Sequence, residues 1–164
     1  MRKILETVIV PQDRIKVIKD RPVKHKIENT LNVKIEFQDN LVEIKGEGIK
    51  LFQAKCVVKA IGRGFVPKKA FRLFDEEEVL ELIELEGFKD NKLKLIKSRL
   101  IGTRGKTRII IEKDSGCFMT VYGKTVSLIG KYQQLEIARD AVSMIIRGSK
   151  HSKVYGFLQQ ARDD

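Results

Sequence analysis

The stretch RLIGTRGKTR, residues 99–108, carries two glycines three positions apart, Gly102 and Gly105, between two segments with helical spacing. Apolar residues recur on one helical face over residues 92–100, and residues 106–113 predict a second helix. Glycine lets one backbone approach another because no Cβ stands in the way. The sequence therefore predicts two helices joined by a short loop that a ligand can approach closely.

The surroundings of this loop suit a phosphate group. The start of the second helix presents unpaired N–H groups and the positive end of the helix dipole. Basic side chains flank the glycines on both sides, namely Lys97, Arg99, Arg104, Lys106 and Arg108. The alternative is a plain tight turn with solvated charges, and contact with RNA phosphates is the interpretation that the position of the loop favours.

The elements after the loop complete one unit. Residues 117–122 alternate as a strand, residues 126–129 predict the second strand of a hairpin, and residues 132–147 have helical spacing. An offset of 84 positions aligns this unit with an earlier part of the chain. Val42 to Gly46 falls on Val126 to Gly130, and further small, apolar and glycine positions match without a gap over some 40 residues. Two copies of one fold are therefore expected.

The first copy is expected to repeat the same order of elements, with a helix at residues 24–30, strands at 33–37 and 41–45, and a helix at 51–62. Leading strands fit residues 4–10 and 79–85, although Asp75-x-x-Glu78 before an apolar run could instead start a helix. Residues 67–73 predict an extra helical turn that ends the first copy. Each unit then reads β-α-α-β-β-α, an α/β (α+β) fold with a three-stranded antiparallel sheet packed on helices.

Charge divides the chain in the same way. The 164 residues carry a net charge of +11, made of +9 over residues 1–72, −7 over residues 73–88 and +9 over residues 89–164. Such a composition shift marks a domain boundary, so the expected domains are residues 1–74 and residues 75–164. A basic chain favours a polyanionic partner, whereas the acidic run 75–78 is interpreted as a solvated segment rather than a metal site.

This order and this loop resemble the type I KH domain, whose GXXG loop clamps the backbone of about four nucleotides. The resemblance implies that single-stranded bases lie in an apolar groove beside the loop. One wall would be formed by Ile101 and Ile109 and the other by Met119 and Val121. A chain without Trp and with 7% aromatic residues fits apolar lining better than a platform of stacked aromatics.

The first copy departs from the KH pattern. Its residues at the loop position are Ile18-Lys19-Asp20-Arg21, followed by Pro22, and none is glycine. Side chains would obstruct close approach there, and Asp20 would repel a phosphate. A degenerate KH domain is therefore expected, which binds RNA weakly through Lys19, Lys24 and Lys26 or binds protein instead.

Four longer strings sharpen the resemblance: residues 62–67, 99–108, 121–126 and 151–155 are similar to those of the archaeal Dim/Pno-type ribosome assembly factors. That family has two KH domains, the first without GXXG. The resemblance implies binding near the 3′ end of small-subunit rRNA during its maturation. It also implies partnership with a PIN-domain endonuclease and with the alpha subunit of initiation factor two.

Other functions are less well supported by the residues. The two histidines and the two cysteines, Cys56 and Cys117, form no catalytic or metal-ligating pattern, so neither an enzyme nor a cofactor is expected, and both cysteines are interpreted as buried structural residues. No apolar run reaches the length of a membrane span, and the sparse cysteines fit a cytoplasmic protein. A protein–protein adaptor and a KH protein of another RNA pathway are the competing interpretations.

Overall fold

The computed structural model describes residues 2–164 and divides into two compact units, the first ending at Glu78 and the second running from Val79 to Asp164. The boundary lies four residues after the predicted one, because the segment 75–78 is tied to the first unit. There the Arg72 Nε donates to the Glu78 Oε1 at 2.8 Å, and the Glu78 N–H donates to the Asp75 carbonyl at 3.1 Å.

Both units have the predicted β-α-α-β-β-α order of the KH fold. The first consists of β1 (Ile4–Ile9), α1 (Gln12–Lys19), α2 (Arg21–Leu31), β2 (Lys34–Gln38), β3 (Leu41–Gly46), α3 (Gly48–Gly62), α4 (Pro67–Ala70) and a 3₁₀ turn (Phe71–Phe74). The second consists of β4 (Val79–Glu84), α5 (Asp90–Ile101), a 3₁₀ turn (Thr103–Gly105), α6 (Lys106–Ser115), β5 (Phe118–Tyr122), β6 (Thr125–Gly130), α7 (Tyr132–Ile146) and α8 (His151–Asp163).

Each sheet is three-stranded and antiparallel, with the third strand of the unit in the centre, in the order β1-β3-β2 and β4-β6-β5. Residues 79–84 form a strand, so the alternative of a helix starting at Asp75 is excluded. The extra helical turn at residues 67–73 is confirmed. Two helices have no counterpart in the predicted bounds: α1, and α8 at the carboxyl end of the second unit.

The 84-residue repeat corresponds to contacts that both units share, and the first is a hydrogen bond between a helix and the strand that follows it. The Ile35 N–H donates to the Glu28 Oε2 at 2.8 Å, and the Met119 N–H donates to the Glu112 Oε2 at 2.9 Å. Since a buried backbone N–H must find an acceptor, the matched glutamates perform the same task in both units.

A second contact that both units share is close packing at the end of the central strand. A Cβ built on Gly46 would lie 2.7 Å from the Val33 Cγ1, and one built on Gly130 would lie 2.6 Å from the Cys117 Sγ. A larger residue at either position would have to displace the Val33 or Cys117 side chain. The matched glycines of the two copies therefore allow the same close packing.

Candidate nucleic-acid interface

At two of its four positions, the GXXG loop has a backbone conformation that only glycine adopts readily. Gly102 has φ 77° and ψ 171°, Arg104 has φ 55° and Gly105 has φ 76°. A Cβ on Gly102 would lie 2.4 Å from the Thr107 Oγ1 and 2.7 Å from the Thr107 backbone nitrogen. The loop therefore turns tightly against the start of α6, and a side chain at residue 102 would push the two apart.

The outer side of this loop is exposed and basic. Thr103, Arg104 and Lys106 are exposed, and within residues 2–164 neither Arg104 nor Lys106 forms an ion pair. The Lys106 N–H at the start of α6 donates to the Thr103 carbonyl, and the other N–H groups of that first turn have no carbonyl acceptor within α6 itself. Charged side chains and backbone donors thus meet at one short turn, which is the arrangement that binds phosphate oxygens.

Helix α8 holds both ends of the loop in place. The Tyr155 hydroxyl lies 2.8 Å from the Thr107 Oγ1 at the start of α6. The His151 Nε2 lies 2.9 Å from the Arg99 carbonyl oxygen near the end of α5, so that nitrogen donates. The two rings are stacked with centroids 5.7 Å apart. Because the contacts come from one helix, they fix the spacing between α5 and α6.

Two of the predicted RNA-contacting arginines are engaged by the protein itself. The Arg99 Nη1 donates to the Ile145 carbonyl at 3.1 Å, and its Nη2 donates to the Ser149 carbonyl. The Arg108 Nη1 donates to the Glu112 Oε1 at 2.6 Å. In the first unit, the Arg14 side chain donates to the carbonyls of Ile61 and Phe65, both at 2.9 Å. These two residues lie 84 positions before Ile145 and Ser149. Arg99 therefore has a structural task that does not depend on RNA.

The apolar residues predicted to line the groove divide into two groups. Ile101 and Ile109 are 36% and 50% exposed, so both can meet a base. Met119 is only 2% exposed and belongs to the core of the second unit, because its position on β5 faces the helices. Val121 and Lys97 are half-buried. The structure therefore offers one apolar wall to solvent and not the side chain of Met119.

Three residues of the site were missed by the sequence reasoning: Thr107, His151 and Tyr155. Thr107 is 1% exposed and lies against Gly102 of the loop. A usable signal was the four-residue spacing of His151 and Tyr155, beside Val154 and Leu158, which predicts a helix with one packed face.

The first unit has no loop at the corresponding position. Helix α1 ends at Lys19 and α2 begins at Arg21, so Asp20 alone separates them. Ile18 is fully buried, and the Lys19 Nζ lies 5.4 Å from the centre of the Phe37 ring. The expected four-residue loop at 18–21 is therefore wrong, because residues 18 and 19 belong to α1 and residue 21 to α2.

Among the cysteines, Cys117 is buried as predicted, whereas Cys56 is only half-buried. Within residues 2–164 the structure contains no cluster of three or more His, Cys, Asp or Glu side chains suited to a metal ion. None of the helices in that range is long and apolar enough to cross a bilayer.

The two βααββα units and the single GXXG loop define a tandem type I KH protein. Residues 79–163 match the family model described as a eukaryotic type KH domain (KH-domain type I). The chain is 39% identical to a KH domain-containing protein of Methanocaldococcus jannaschii, over 98% of this chain and 75% of that protein. It belongs to the Dim2/Pno1 family of KH-domain ribosome biogenesis proteins.

More distant and structural relatives agree. The chain is 30% identical to the RNA-binding protein pno-1 of Caenorhabditis elegans over 93% of its own length, and spans 60% of that protein. A chain of the solved a/eIF2alpha–aDim2p–rRNA complex from Pyrococcus horikoshii superposes on it with a TM-score of 0.92 and 40% identity. That match covers 99% of this chain and 96% of the other.

Proposed function

We propose that this protein binds single-stranded RNA near the 3′ end of small-subunit rRNA through the GXXG loop of its second KH domain and assists the maturation of that end. The observation that carries the proposal is the exposed turn 102–105, where positive-φ glycines, α6 N–H groups and the side chains of Arg104 and Lys106 meet. A non-catalytic role in the cytoplasm is part of the same proposal.

The roles of the loop residues differ. Gly102 and Gly105 admit the phosphate backbone, and Arg104 and Lys106 neutralise its charge. Ile101 and Ile109 offer apolar surface to the bases next to those phosphates. Lys97 and Val121, both half-buried, lie at the margin of this contact surface, whereas Arg99 and Arg108 support it through their bonds within the protein.

An adaptor role is the second candidate, in which the first KH domain links the pre-ribosome to another protein. One observation in its favour is that the solved Pyrococcus horikoshii complex contains a/eIF2alpha together with aDim2p and rRNA. The other is that Asp20 replaces a whole loop in the first unit. The alpha subunit of initiation factor two and a PIN-domain endonuclease are the partners proposed for this role.

The test is the double variant Thr103→Asp/Arg104→Asp in the full chain. Affinity for an oligonucleotide of the small-subunit rRNA 3′ end should fall by about tenfold or more, because a hydrogen bond to a charged group contributes roughly 1.5–3 kcal/mol. Fluorescence anisotropy measures the affinity, and circular dichroism checks that the fold is intact, since both side chains are exposed.

Asn91→Asp/Lys92→Asp is the matched control. It changes the net charge by the same amount at the opposite end of α5, where both residues are exposed and acidic groups suit the helix dipole. The control should bind RNA nearly as well as the wild type. Equal losses in both variants would mean that overall charge, and not the loop, determines the affinity.

A further inference from the structure

One face of helix α3 in the first unit carries an apolar stripe that its own fold does not cover. Ile49 and Phe52 are 61% and 66% exposed, and Cys56 is half-buried one turn further along. The spacing of three and four residues places all three on one side of the helix. Contiguous exposed apolar surface of this kind marks an interaction site more often than scattered single residues do.

The second KH domain shows that the fold does not require this stripe. At the offset of 84, Gln133, Glu136 and Asp140 occupy the same face of α7, and all three are exposed. The same helix in the same fold is therefore polar in one copy and apolar in the other. Folding alone gives no reason for Ile49 and Phe52 to be apolar.

A cavity of about 170 Å³ opens beside the stripe. Leu73 forms part of its wall, and Gln53 is fixed there because its Nε2 donates to the Phe74 carbonyl at 2.8 Å. The lining consists of Ile49, Phe52, Gln53, Cys56, Leu73, Asp75, Glu76 and Glu78. It combines an apolar side on α3 with an acidic side on the segment that follows the 3₁₀ turn.

The acidic side contains a carboxylate oxygen with no partner. The Glu78 side chain is only 5% exposed, and its Oε1 accepts from the Arg72 Nε at 2.8 Å. Its Oε2 is buried and has no hydrogen-bond partner within the structure. A buried acceptor without a donor is unfavourable, so an N–H group brought by a ligand would be stabilised there.

We propose that this α3 face, formed by Ile49, Phe52 and Cys56 with the acidic side chains of Asp75, Glu76 and Glu78, is the docking surface for a protein segment that presents an apolar side chain next to an arginine or lysine. The apolar side chain packs on Phe52 and Ile49, and the cation reaches the carboxylates. RNA is disfavoured because the carboxylates of Asp75, Glu76 and Glu78 at this surface repel phosphates.

The test starts from a phage-displayed library of random 12-residue peptides selected on the full chain. Selected peptides should combine Leu, Phe or Trp with Arg or Lys. The variant Ile49→Gln/Phe52→Glu/Cys56→Asp gives the face the residues of the second domain. Synthetic fluorescent copies of the selected peptides should bind this variant about tenfold more weakly or worse, as loss of buried apolar anchors produces.

A second variant, Glu78→Gln, tests the charge without changing the apolar face. It should weaken a selected peptide, and replacing the peptide's own Arg or Lys by norleucine should abolish the difference between Glu78→Gln and wild type. Selection of acidic peptides would overturn the proposal, and so would equal peptide binding by the Ile49→Gln/Phe52→Glu/Cys56→Asp variant and the wild type. The proposal would also fail if that variant kept its peptide binding but lost self-association or affinity for the rRNA oligonucleotide.

Discussion

Gly102 and Gly105 are alike in sequence, yet the structure requires them for different reasons. At Gly102 both the φ of 77° and the contact with the Thr107 backbone exclude a side chain. At Gly105 the φ of 76° is the only obstacle, because the nearest atom to an added Cβ is the flexible Arg108 Nη2 at 3.7 Å. Strain and collision act together at the first glycine, and strain alone acts at the second.

Gly102→Ala should therefore lower both stability and RNA affinity more than Gly105→Ala. For Gly105→Ala the expected loss is about 1–2 kcal/mol, the ordinary difference for a left-handed residue. For Gly102→Ala it is greater, since α6 must also shift. Urea unfolding measures the stability and anisotropy measures the RNA affinity. Equal losses at the two positions would contradict this reading of the loop.

The residue scale also shows where sequence reasoning reaches its limit. The glycine pair and its basic neighbours are contiguous, so their position and charge sufficed to propose them as a candidate site. The Thr107–Tyr155 bond joins residues 48 positions apart, and only the packing of α8 brings them together. Met119 is predicted as a groove residue, yet its side chain is buried, because alternation identifies the two faces of a strand without saying which one is covered.

At the scale of elements, α8 extends the βααββα unit and stabilises its binding loop. Val154 and Leu158 are fully buried in the core of the second unit, which anchors the helix. The helix then supplies Tyr155 to α6 and His151 to α5. The long helices α3 and α7 were predicted from many apolar positions, whereas α1 and α8 each bury only two residues, so that the period of α8 is visible only when His151 and Tyr155 are counted with Val154 and Leu158.

Tyr155→Phe should lower stability by about 1 kcal/mol, because Thr107 is buried and loses its hydroxyl partner. Thr107→Val should cost a similar amount, and the double variant should cost less than the sum, since the second change removes a group that is already unpaired. Hydrogen exchange at residues 102–107 should be faster in each single variant. Additive losses with unchanged exchange would show that the bond does not hold the loop.

At the scale of the whole molecule, net charge and local contact contribute separately to RNA binding. The charge of +11 attracts a polyanion whatever its sequence, whereas the proposed function requires the GXXG loop to form close contacts with a few phosphates. The logarithm of the association constant for single-stranded RNA should therefore fall linearly with the logarithm of salt concentration, by about 0.7 per neutralised phosphate.

The Thr103→Asp/Arg104→Asp variant should show a shallower salt slope than wild type, and the Asn91→Asp/Lys92→Asp control should keep the wild-type slope. Anisotropy titrations at several salt concentrations measure both. A wild-type slope near zero would favour the adaptor role over direct RNA binding by the loop.

The single residue Asp20 between α1 and α2 determines what a glycine pair could achieve in the first copy. The helix α1 continues through Lys19, so the residues at the loop position are helical and not missing. Glycines placed at residues 18 and 21 would open a cavity where Ile18 packs, and a loop would form only if the last turn of α1 unwound. A glycine pair in the first copy would therefore lower its stability before it offered a phosphate site.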